Sequence, residues 1–216
     1  MSHYRFTILM FAFLCVLVVY PFLDHFQLFH IDFILNIFIT FLLISCIHAL
    51  STSHHEAVMA CLVILPAIFM DWIGVFSENR YVEITVDIYK IVAYSYICYG
   101  LLRYALRAGV VDREKIAAAV NVYLFLGLIW RDLFSLVNIL IPDSFNSELL
   151  GQTDFLYYSF VTLSTLGYGD VLPVNGPAKA LAYIEAIIGQ LYLTILVARL
   201  VGLHIAYTGP ECQDRD

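Results

Sequence analysis

Thr165-Leu166-Gly167-Tyr168-Gly169-Asp170 is the stretch of this sequence best fitted to do chemistry. Gly167 and Gly169 alternate with larger residues, and glycine takes left-handed backbone dihedrals that other residues resist. That alternation lets successive carbonyls point to one side. A row of carbonyls can replace the water around a cation that must shed it to cross a narrow passage. The oxygens must come from all sides and must hold the ion weakly enough to release it, so several copies of the strand must face one axis.

The elements that must position this strand are apolar. Of the 216 residues, 62% are hydrophobic and 13% charged, whereas a soluble domain carries about 25% charged residues. The excess sits in six apolar runs, at residues 6–23, 28–50, 56–76, 81–106, 115–141 and 178–207. A bilayer core of about 30 Å takes about 20 apolar residues per helix, so lipid surrounds most of this chain. Between the fifth and sixth runs a shorter helical pattern covers residues 153–164. It is too short to span, which marks it as re-entrant or interfacial. The non-helical backbone that follows survives at membrane depth only where protein buries it or where it lines a watery path.

A net charge of -7 without a basic patch excludes nucleic acid as a partner. Cys15, Cys46, Cys61, Cys98 and Cys212 form no CxxC pair and no metal-ligand spacing, and no disulfide is expected. The first apolar run follows Arg5 and ends without a small-x-small cleavage site, so it reads as a retained span and not a signal peptide. Arg103, Arg107, Arg113 and Lys115 crowd the fourth connector. The positive-inside rule puts that connector in the cytoplasm. Counting along the spans then puts both termini in the cytoplasm and the long fifth connector outside.

The segment from Tyr157 to Asp170 resembles the potassium-channel signature T-x-x-T-x-G-Y-G-D, matched by Thr162, Thr165, Gly167, Tyr168, Gly169 and Asp170. The resemblance implies that the carbonyls of Thr165, Leu166, Gly167 and Tyr168, with the Thr165 hydroxyl, coordinate potassium ions. It implies that the short helix aims its negative dipole end at the ion path. Tyr157 and Tyr158 match an aromatic pair that braces the filter tyrosine, and Asp170 caps the outer mouth. The last run is similar to the pore-lining inner helix of small bacterial channels, with Gly189 as its bending point. The chain holds one such signature, so four copies must assemble as a homotetramer by cyclic closure. Two departures stand out. Leu166 replaces the commoner Val or Ile, and Val161 stands where some relatives carry a Glu paired to the outer Asp.

Six runs suggest a voltage-gated channel, but a voltage sensor needs several positive charges on one helix. The fourth run carries Glu83, Asp87, Lys90 and Arg103 without arginine at every third position, so no intrinsic voltage dependence is expected. Along that helix Asp87 and Lys90 are expected to pair, with Glu83 solvated. Asp32, Asn36 and Asp71 are read as structural intrahelical contacts. Arg131 and Glu185, each in the outer third of adjacent pore helices, are expected to form an ion pair, with Asp154 as the other candidate partner for Arg131. His48, His54, His55 and His204 are read as solvated or interfacial, with proton sensing as the competing role.

The expected fold is an all-α membrane protein: six transmembrane helices with a re-entrant pore helix and selectivity filter between the last two. Residues 1–107 form a four-helix peripheral bundle, 108–116 a cytoplasmic linker, 117–207 the pore domain and 208–216 a short cytoplasmic tail. The expected activity is passive, potassium-selective conduction in a plasma membrane, resembling a bacterial inner-membrane channel. Its partners are the lipid bilayer and other copies of the chain, with no soluble partner. A gate is expected near residues 198–204 or at the filter. Two alternatives compete with this reading. One is a non-selective cation channel of the same fold. The other is a membrane metalloenzyme, which His48, His54 and His55 suggest but for which no second histidine box exists.

Overall fold

The computed structural model describes residues 4–25, 31–51, 54–77, 79–146 and 151–208. Its helices are α1 (Arg5–His25), α2 (Ile31–Leu50), α3 (His54–Val75), α4 (Arg80–Ala105), α5 (Arg113–Leu140), α6 (Gln152–Leu163) and α7 (Gly176–Thr208). The six apolar runs become α1–α5 and α7, and the short pattern becomes the 12-residue α6. No paired β-strand forms among the described residues, and an isolated antiparallel bridge joins Phe145 to Pro173.

Among the described residues, three helical stretches are long and apolar enough to cross a membrane: His54–Val75, Arg113–Leu140 and Gly176–Leu203. Shorter apolar stretches run over Arg5–Val19 and Asn36–Leu50. α4 has the length, at 26 residues, but Arg80, Glu83, Asp87, Lys90 and Arg103 dilute its apolar content. The helix starts follow from local chemistry. Asn79 accepts from the Tyr81 N–H ahead of α4, and Asp112 accepts from the Lys115 N–H ahead of α5, each at 2.9 Å. Such caps satisfy amides that have no partner inside the helix.

α5 is the hub, packed on α4 and α1 on one side and on α6 and α7 on the other. One apolar core joins α1 to α5 through residues such as Phe6, Phe13, Leu43, Ile64, Tyr94 and Phe125. The second gathers Trp130, Phe134, Phe145, Phe155, Tyr158 and Leu163 around α6. α1 is clipped to α5 by polar bonds as well. The Phe6 N–H donates to Glu114 Oε2 at 2.8 Å, the Thr7 hydroxyl binds Glu114 Oε1, and Asn121 Nδ2 donates to the Phe6 carbonyl at 2.9 Å.

Expectations for the polar residues of the bundle need correction. Asp87 and Lys90 do not pair along α4. Lys90 pairs with Asp71 of α3, and Asp87 accepts from the Ser135 hydroxyl of α5 at 2.8 Å. α4 lies between α3 and α5, so each side chain is drawn to a different neighbour. Asn36 and Asp71 also act between helices and not within one, because Asn36 Nδ2 stands 3.5 Å from the Asp71 carbonyl. Glu83, His48, His54 and His55 are exposed. The side chains of Asp32 and His204, and residues 209–216, lie outside the described residues.

Candidate functional site

α6 is held by aromatic packing at its back. Tyr158 packs edge-on against Phe134 with ring centres 4.8 Å apart and against Phe145 at 5.3 Å, and Phe145 meets Phe155 at 5.2 Å. On the α5 side Gly127 leaves the space that the Phe160 ring fills, for a Cβ there would stand 2.5 Å from that ring. These contacts fix α6, and so fix where its last turn releases the chain.

The release is a sequence of backbone bonds. The Ser164 N–H donates to the Phe160 carbonyl at 3.0 Å and the Thr165 N–H to the Thr162 carbonyl at 2.9 Å. The N–H groups of Leu166 and Gly167 both turn back to the Val161 carbonyl, at 2.9 and 3.3 Å. From there the backbone alternates: φ is +60° at Thr165, +57° at Gly167 and +81° at Gly169, while Leu166 and Tyr168 stay outside that region. Alternation of left- and right-handed residues gathers N–H groups on one side of a strand and so turns the carbonyls to the other. Among the described residues none of the carbonyls of residues 165–169 accepts a hydrogen bond. Thr165 carries a Cβ in the left-handed region, which costs roughly 1–2 kcal/mol. Strain of this sort persists where surrounding structure over-determines it, and it gathers at functional sites.

The Asp170 end is tied down separately. The Tyr157 hydroxyl donates to Asp170 Oδ2 at 2.7 Å, and Asn146 Nδ2 donates to the Asp170 carbonyl at 3.0 Å. The returning segment pairs with residues 144–146: the Asn146 N–H donates to the Leu172 carbonyl at 3.0 Å and the Val174 N–H to the Ser144 carbonyl at 2.9 Å. Asn175 then caps α7 through the Ala178 N–H at 2.9 Å. The sequence reading missed Asn146, Ser144 and Asn175. An Asn two residues before Pro177, at the start of an apolar run, is a start signal that could have exposed the last of them.

Among the expected site residues one pairing changes. Tyr158 faces α5, and of the adjacent tyrosines it is Tyr157 that reaches the mouth. Neighbours on a helix point about 100° apart, so within one chain the two tyrosines take different partners. Arg131 does not meet Glu185. It is held by the carboxylate of Asp132, while the buried Glu185 stands 2.6 Å from the Ser159 hydroxyl, which also lies 2.9 Å from the Gly127 carbonyl. Asp154 is occupied at the Gly151 N–H, at 2.8 Å. Arg131 has an acid as its next residue, and Glu185 faces α6, so neither needs the other. α7 is helical through Gly189. A Cβ there would stand 2.3 Å from the Leu163 carbonyl, so the residue is glycine for close approach. Beside it Gln190 Nε2 reaches Thr165 Oγ1 at 3.4 Å.

The family model described as an ion channel matches residues 118–204. This part of the chain is similar to an ion channel domain. It begins in the first turns of α5 and contains α6, the alternating strand and Gly189. That points to transport across a membrane and away from an enzyme. No curated protein and no solved structure matches the chain.

In the channel domain the Tyr157 hydroxyl holds the Asp170 carboxyl below its ordinary value of 3.8, by donating to the charged form. The contribution of this contact is present above the ordinary value and is lost as pH falls through the lowered one. Tyr157→Phe removes the donor. The expected result is an acid titration of ion conduction whose midpoint lies at higher pH than in the parent. Superimposable titrations of the two proteins would show that the contact does not govern the mouth.

Proposed function

We propose that the chain is one subunit of a homotetrameric, potassium-selective channel that conducts passively across a plasma membrane, with six spans and both termini in the cytoplasm. The observation that carries this is the strand at residues 165–169, with positive φ at every second residue and its carbonyls unused. Oxygens so presented suit stripped potassium ions, held in a stack by the Thr165 hydroxyl and the carbonyls of Thr165, Leu166, Gly167 and Tyr168. The C-terminal end of α6, with its negative dipole, favours a cation beside it.

Exposure supports assembly. Leu166 and Tyr168 are 56% and 68% exposed in the single chain. A strained strand open on that side needs neighbours to hold it, and fourfold closure supplies them. α7 likewise exposes Tyr183, Ile187, Leu191 and Ile195. The positive charges of α4 are Arg80, Lys90 and Arg103, with Lys90 locked to Asp71. That set is too sparse and too fixed for a voltage sensor.

The test is the reversal potential of the purified protein in planar bilayers with potassium on one side and sodium on the other. The expected reversal lies close to the potassium equilibrium value, and Gly167→Ala, forced to φ +57°, conducts no selective current. A reversal near zero with clear openings would keep the channel and overturn its selectivity, implicating Leu166 and the missing acid at Val161.

A further inference from the structure

A cavity of about 460 Å³ opens where α1 begins, α2 ends, α3 begins and α4 ends. Arg5, Arg103 and Arg107 line it, against the single carboxylate of Glu56. None of the three arginines makes an ion pair among the described residues. The Arg5 guanidinium lies over the rings of Phe6 and Tyr104, 4.7 and 5.7 Å from their centres. Tyr96, Tyr99 and Tyr104 bring phenol groups to the same wall, and Leu50 closes the apolar floor. Gly100 allows that closure, since a Cβ there would stand 2.6 Å from Leu50 Cδ2.

The chemistry of this lining is specific. Unpaired guanidiniums present planar forks of N–H donors that fit the oxygens of a phosphate two at a time. Phenol hydroxyls add single donors. The volume lies in the range of a small-ligand pocket, about 300–1,000 Å³. The arginine-rich connector beside it faces the cytoplasm by the positive-inside rule. Basic pockets between membrane helices on that side take the headgroups of anionic lipids.

We propose that this cavity binds a phosphate-bearing anion, supplied by the headgroup of an anionic phospholipid in the inner leaflet. The proposal rests on α1–α4 lying in the bilayer and not on the ion that the channel domain conducts. The occupant touches α1 and α4, and α1 is clipped to α5 one residue from Arg5 through Glu114. Occupancy therefore steadies the seam between the bundle and the channel domain.

The experiment titrates the purified full-length protein, in neutral detergent, with short-chain phosphatidylglycerol, with the matching phosphatidylcholine and with sodium phosphate, following the unfolding temperature. Phosphatidylglycerol is expected to raise it saturably and phosphatidylcholine to leave it unchanged. The double variant Arg103→Gln, Arg107→Gln is expected to weaken the apparent affinity by about tenfold or more, the size of a lost charge-assisted hydrogen bond. Both side chains are exposed in the structure, so the variant folds. Arg103→Lys with Arg107→Lys, which keeps the charge and loses the fork, falls between the two. If sodium phosphate alone saturates the site with the same arginine dependence, the anion site stands and its occupant is free phosphate. Equal responses to the two lipids, or undiminished binding by the Gln variant, overturn the proposal.

Discussion

Gly189→Ala is expected to abolish channel current and to lower the stability of the assembled protein. The added Cβ would stand 2.3 Å from the carbonyl oxygen of Leu163 and 3.2 Å from its carbonyl carbon. These are backbone atoms, and Leu163 is fully buried in the aromatic core behind α6. Neither can swing aside as the end of a side chain could. Relief needs α7 to back away from α6 or the last turn of α6 to shift, and that turn holds the Thr165, Leu166 and Gly167 amides. Overpacking of this kind costs about 1–3 kcal/mol per site, and each further copy in an assembly repeats the cost. The Gln190–Thr165 contact next to the clash is lost as well. Gly202 is the control, because nothing stands within 4 Å of a Cβ there. Potassium flux into proteoliposomes, measured beside the unfolding temperature, checks the expectation. Parent-like flux in Gly189→Ala would mean that α6 and α7 are not packed this closely when the protein conducts.

Lys90→Met is expected to destabilise the bundle by about 3–5 kcal/mol, the usual consequence of leaving one partner of a buried ion pair alone. The Lys90 and Asp71 side chains are each 4% exposed, Lys90 meets Asp71 Oδ1, and Asp71 Oδ2 has no hydrogen-bond partner among the described residues. Without the ammonium group, Asp71 loses its direct ion-pair partner between α3 and α4. Water cannot reach it without opening the bundle. The double change Lys90→Met, Asp71→Leu removes both charges and is expected to recover most of the loss, because apolar replacements of a buried pair are often neutral. A double-mutant cycle read from thermal unfolding separates the pair from its surroundings. If Lys90→Met unfolds like the parent, the pair does not hold α3 to α4.

The helices were largely legible in the sequence, because each depends on residues close together in the chain. Apolar runs of about 20 residues, and capping residues such as Asp112 ahead of α5, act locally. So did the alternating strand: Gly167 and Gly169 take positive φ because glycine has no Cβ to oppose it. The positive φ at Thr165 was hidden, since a threonine does not choose that conformation. It is imposed by the backbone bonds to the last turn of α6.

The sequence alone determined that this chain is helical and apolar, and that Gly167 and Gly169 leave the backbone free to take positive φ. Those properties come from hydrophobic periodicity and from backbone freedom at single residues. Only the tertiary structure decided which charges meet. Asp71 and Lys90 are joined across α3 and α4, and Asp87 and Ser135 across α4 and α5. It turned Tyr157 to Asp170 and Tyr158 to Phe134. It also showed that Gly189 is small for the sake of the Leu163 carbonyl. Partners far apart in sequence are chosen by the packing of one helix on another, and neither spacing nor residue type encodes that choice.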